Sequence, residues 1–181
     1  MRNIIEKIRK ECDLFLQESS DLPLIKSLKE TDSNFRKVKV RTKSISDEFV
    51  ESVNEAFENE YRNLYGRSVF CNGYHKDADT GEEQVYVFPI NGFKYFFNPN
   101  VTLLLTQYKK AYETLNSSLD EESAESIFVD MVKYSYNDSN IPLNQALFSK
   151  KEIIIYNIPY YYAVKTEKFT DYLDLLELLK S

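Results

Sequence analysis

Apolar residues at Ile4, Ile5, Ile8, Cys12, Phe15 and Leu16 recur at helical spacing and predict an amphipathic helix from Asn3 to Gln17. A short second helix is expected from about Asp21, with Pro23 tolerated in its first turn. From Phe35 to Arg41 the period drops to two. Val38 and Val40 face one way and Lys37, Lys39 and Arg41 the other, as in a half-buried strand. Ser44 or Ser46 then caps a long helix. Its apolar stripe runs from Phe49 through Val53, Phe57 and Tyr61 to Tyr65, and Gly66 closes it.

The next stretch alternates as β. Ser68–Asn72 is one strand, and Asp79-Thr80-Gly81 marks a turn before a second, Gln84–Ile90. Asn91-Gly92 is the strongest hairpin signal in the chain, because both positions tolerate a positive φ, and it predicts pairing of Gln84–Ile90 with Phe93–Phe97. Helices are predicted over Val101–Leu115 and Leu119–Tyr134, with a short helical piece at Leu143–Phe148. Glu152 then heads the most hydrophobic run, Ile153-Ile154-Ile155-Tyr156, a buried strand on which Tyr160–Lys165 is expected to fold back. A helix over Phe169–Leu179 ends the chain. The pattern is that of one α+β domain over 1–181: a helical cap (1–34), a mixed sheet core with a helical insertion (35–166) and a terminal helix (167–181).

Composition changes this picture in three ways. At 181 residues the chain is long enough to bury a core without disulfides or metal. A net charge of −6 argues against general nucleic-acid binding. The basic run Arg36, Lys37, Lys39, Arg41, Lys43 is the local exception, readable as a charged edge strand or as a place for a phosphate-like anion. The 14 Tyr and 12 Phe with no Trp favour interfaces and stacking surfaces. No apolar run has the length of a spanning helix and the first residues are too charged for a signal peptide, so a cytoplasmic location is expected.

Several chemistries find no support in the residues. The four glycines stand singly at turns, which removes phosphate-loop and dinucleotide-fold motifs. Cys12 and Cys71 form no Cys-x-x-Cys pair, and the single histidine, His75, lies in a polar stretch and cannot build a multi-histidine metal site. Glu152 is different. A carboxylate at the lip of a buried strand is rigidly held and suits stabilisation of a developing positive charge, although a solvated strand end is the blander reading.

Three segments taken together carry a family likeness. They are Val38-Lys39-Val40-Arg41 with the helix ending Tyr65-Gly66, then Arg67-Ser68-Val69-Phe70-Cys71-Asn72-Gly73 with Val85 to Tyr95, and Leu143 to Leu147 with Glu152-Ile153-Ile154-Ile155 and Tyr160-Tyr161-Tyr162. In this order the chain resembles single-domain proteins of tailed phages with an ADP-ribosyltransferase-like fold. The resemblance implies a split β-sheet enclosing a cleft for NAD as co-substrate. It places Arg41 on the dinucleotide, Ser68 with Phe70 at the nicotinamide ribose, and Glu152 as the catalytic carboxylate, with Arg41 and Ser68 completing the catalytic set. Breaking the nicotinamide–ribose bond passes through an oxocarbenium-like centre, which a carboxylate stabilises, and a guanidinium grips pyrophosphate through paired hydrogen bonds. Lys150 stands where a second acid would favour arginine as acceptor, so the acceptor is open. The alternative is a non-catalytic phage counter-defence protein that binds a host defence protein or toxin in the host cytoplasm.

Overall fold

The computed structural model describes residues 2–29, 31–40, 48–57, 67–73, 83–136 and 141–181. Among them the helices are α1 (Arg2–Glu11), α2 (Asp13–Glu18), α3 (Glu48–Ala56), α4 (Leu104–Ser118), α5 (Glu121–Tyr136), α6 (Leu143–Phe148) and α7 (Tyr172–Lys180). The strands are β1 (Leu24–Leu28), β2 (Phe35–Lys39), β3 (Val69–Gly73), β4 (Glu83–Pro89), β5 (Lys94–Phe97), β6 (Glu152–Tyr156) and β7 (Tyr160–Lys165). They form one open sheet in the order β2-β7-β4-β1-β3-β6-β5, with every neighbouring pair antiparallel. The protein is a mixed α+β domain, and no described helix is long and apolar enough to cross a membrane.

The unbroken apolar run of β6 follows from burial on both faces. Ile153 and Ile155 join a cluster with Ile8 and Cys12, Phe15, Leu147 and Leu175, drawn from α1, α2, α6 and α7. Ile154 and Tyr156 point the other way, into a cluster with Val53, Leu104, Phe128 and Val132 from α3, α4 and α5. The three isoleucines are fully shielded from solvent, and each such side chain contributes about 1.5–3 kcal/mol relative to exposure. At the end of β3 the packing is closer still. A Cβ on Gly73 would stand 2.2 Å from the Leu147 carbonyl oxygen, so only glycine lets α6 approach there.

Three expectations are corrected. The first predicted helix bends at Cys12 into α1 and α2, and no helix starts at Asp21. Ser20 and Asp21 adopt φ of 50° and 62°, a left-handed turn that stops α2. Leu24–Leu28 then becomes β1 in the middle of the sheet, so the cap region supplies a central strand. Its local sequence carries no alternation, and pairing with β3 and β4 decides its state.

Neither predicted hairpin forms. The Asn91-Gly92 turn is present, with Phe93 N–H donating to the Ile90 carbonyl at 3.2 Å and Gly92 at φ 87°. Yet β5 pairs with β6, while β4 lies between β7 and β1. Asn91 instead ties the turn to the α1–α2 junction. Its N–H donates to the Glu11 carbonyl at 2.5 Å, and its Oδ1 accepts from Leu14 N–H at 3.0 Å. Likewise β7 pairs with β2 and β4, not with β6. The expectation that β2 is a charged edge strand agrees with its place at the end of the sheet.

Candidate functional site

A cavity of about 500 Å³ opens between β1, β2 and the start of β3. Strand register explains its chemistry. Arg36 and Val38 on β2 stand opposite Ala163 and Tyr161 on β7, and Lys26 on β1 stands opposite Val85 on β4. Four cations line the cavity, Lys26, Lys29, Arg36 and Lys39, and no carboxylate does so among the described residues. Beneath it Glu83 is buried between Arg36 at 2.6 Å and Lys165 at 2.5 Å, and the exposed Glu167 lies 3.9 Å from the same lysine. A chain of net charge −6 thus turns four cations and no described carboxylate toward this space.

Two lining residues carry a polar atom with nothing to bond. Arg36 Nε and Ser68 Oγ are both shielded from solvent and have no hydrogen-bond partner, and buried donors of this kind are rare in folded chains. Both are N–H or O–H groups that an anion would satisfy. Phe70 and Tyr161 supply ring surface, and burial raises the Tyr161 pKa, which keeps its hydroxyl neutral. Lys26 Nζ donates to the Phe70 carbonyl at 2.8 Å, a bond that fixes the ammonium at the cavity's inner edge.

Of the residues expected at the site, Ser68 and Phe70 both line this cavity. Glu152 does not. It pairs with Asn72 across the β3–β6 ladder, four residues along from Ser68, a separation of about 13 Å at the rise of a strand. Its Oε1 accepts from Leu104 N–H at 2.8 Å, so the carboxylate caps the start of α4, where a negative charge is favoured by the helix dipole. Burial nevertheless raises its pKa above the ordinary glutamate value, with the Leu104 N–H and the nearby Lys26 charge only partly opposing. Its Oε2 has no hydrogen-bond partner among the described residues. Arg41, and with it His75, lies outside the described residues.

Cys71 is closed to nucleophilic chemistry, since complete burial pushes its thiol up to about 12. Arg36 and Lys39 belong to the basic run read as a charged edge strand or a place for a phosphate-like anion, whereas Lys26 and Lys29 escaped the sequence reading. Lys26 was hidden inside a segment read as helix. Arg36 was visible only as one charge in a basic run, with no signal that its side chain turns inward. No protein-family model, curated protein or solved structure matches the chain.

Proposed function

We propose that the basic cavity binds the diphosphate of a dinucleotide and that the protein is an ADP-ribosyltransferase-like user of NAD, acting on a host component if it is phage-encoded. The observation that carries this reading is the lining itself: four cations, no described carboxylate, and two buried donors left unpaired. Arg36 Nε and Ser68 Oγ would meet phosphate oxygens, Lys26 and Lys39 would neutralise their charge, and Phe70 would offer a face to a base or ribose. A dinucleotide anchored there reaches Glu152 by extending along β3 toward Asn72, and the unpartnered Oε2 of Glu152 would face the positive charge that develops as the nicotinamide–ribose bond breaks.

Glu152 also carries a desolvation cost where it stands. A glutamine would accept the same Leu104 N–H without burying a charge, and a strained or desolvated group of this sort is typical of sites kept for function. The second reading, a non-catalytic counter-defence protein that binds a host defence protein or toxin, is favoured by the same contact, since a helix-capping Glu152 needs no chemistry. NAD consumption by the wild type and Glu152→Gln in the presence of a host extract decides between them. Consumption that the substitution abolishes supports transfer, and no consumption by the wild type supports the binder.

A further inference from the structure

A second cavity, of about 620 Å³, lies between the segment entering β1, the start of β4, the end of α6 and the stretch from β7 to α7. It shares no lining residue with the basic cavity, and its size is that of a small-molecule site. Its character is also opposite, being mainly apolar and aromatic. Tyr86, Phe148, Phe169 and Tyr172 contribute rings. Phe148 is 77% exposed and Leu173 56%, so two large apolar side chains stand in water at its mouth.

One polar group points to an occupant. Tyr172 is only 7% exposed, its ring is held 4.8 Å from that of Tyr86, and its hydroxyl has no hydrogen-bond partner. Burial keeps that hydroxyl protonated, so it is a donor in want of an acceptor. The carboxylates around the cavity are largely answered already. Asp21 is paired with Lys180 at 2.9 Å, Glu167 lies 3.9 Å from Lys165, and Asp171 caps α7 through Asp174 N–H at 3.0 Å, while Lys150 is the one lining cation beside these three acids among the described residues.

We propose that this cavity binds a small uncharged aromatic molecule bearing a hydrogen-bond acceptor, a carbonyl or a ring nitrogen, that takes the Tyr172 hydroxyl while its ring covers Phe148 and Leu173. The class follows from the parts: rings for a ring, one buried donor for one acceptor, and a charged lining of three carboxylates to one ammonium, which disfavours an anion. The site is independent of the dinucleotide reading and stands if NAD does not bind.

Benzamide serves as the probe, followed by ¹H–¹⁵N chemical shifts of the whole chain, with benzoate as the charged control. Saturable shifts confined to residues around Gln84, Phe148 and Thr166–Leu173 are expected, with a dissociation constant on the order of 1 mM. Tyr172→Phe should weaken benzamide by about threefold to tenfold, the worth of one neutral hydrogen bond. Its melting temperature should stay level or rise, because an orphan hydroxyl has gone. Phe148→Ala, a change at an exposed side chain, should weaken benzamide without altering stability. Benzoate should bind at least about tenfold more weakly, because its charge must be desolvated in a lining where three carboxylates outnumber Lys150. Absence of saturable shifts in the wild type, equal affinity in Tyr172→Phe, or benzoate binding as tightly as benzamide would overturn the proposal.

Discussion

Substituting Glu152 by alanine and by glutamine separates the capping contact from the charge. Alanine removes the acceptor of Leu104 N–H at the start of α4, a loss of the N-cap kind that costs about 0.5–2 kcal/mol. At about 2–4 °C per kcal/mol for a chain of this size, the melting temperature should fall by about 1–8 °C. Glutamine keeps an acceptor oxygen and removes only the charge, so its effect depends on pH. Burial raises the folded-state pKa of Glu152 above that of an ordinary glutamate. Between the unfolded and the raised folded pKa, the folded chain therefore binds more protons than the unfolded one. Its stability declines there as pH rises, then levels off once Glu152 is ionised in both states. Glutamine resembles the protonated form and escapes that decline. The melting temperature of Glu152→Gln relative to wild type should thus climb from near parity at about pH 4 to a positive difference at about pH 8. Thermal melts followed by circular dichroism across that range measure it. If glutamine loses ground as pH rises, the helix dipole outweighs burial and the reasoning about this carboxylate is wrong. NAD consumption is the independent readout. Loss of one preorganised electrostatic group costs about 2.7–4 kcal/mol, so Glu152→Gln should consume NAD roughly a hundred- to a thousandfold more slowly.

Glu83→Gln leaves Arg36 and Lys165 without their shared counter-charge in a buried site, a change worth about 3–5 kcal/mol and visible as a melting temperature about 6–20 °C lower. A drop of under about 2 °C would mean that solvent reaches the triad freely. Gly73→Ala drives a methyl group against the Leu147 carbonyl, a backbone atom that cannot rotate away. Urea unfolding should show a loss of about 1–3 kcal/mol with an unchanged slope, and an unchanged midpoint would disprove the close approach.

Periodicity located the elements whose fate is local. Leu143–Phe148 is helical with the predicted bounds, and Glu152–Tyr156 is the buried strand that its isoleucines require. What escaped is pairing. A turn such as Asn91-Gly92 specifies a reversal over a few residues but not which strand lies alongside. Here β6, buried on both faces, recruits β3 and β5 from distant parts of the chain. Leu24–Leu28 was illegible for the same reason, since a strand defined by two neighbours carries little signal of its own. The site followed suit. Ser68 and Phe70 were nameable only through the family resemblance, not from the alternation around them, and both reach the basic cavity. Lys26 became visible only when β1 was placed beside β4, and the inward turn of Arg36 only when β2 was placed beside β7. Glu152 was legible as a rigid strand-end carboxylate, but its bond to Leu104, 48 residues away, was not.

Calorimetric titration with NAD tests the central claim most directly. The basic cavity predicts one saturable site, weakened as ionic strength rises because its charges are screened. Ser68→Ala should weaken NAD by about threefold to tenfold without lowering the melting temperature, since its hydroxyl has no partner to lose, and Lys39→Gln should weaken NAD as well. No saturable heat with the wild type, or identical binding by the wild type and both variants, would contradict the assignment of this cavity to a dinucleotide.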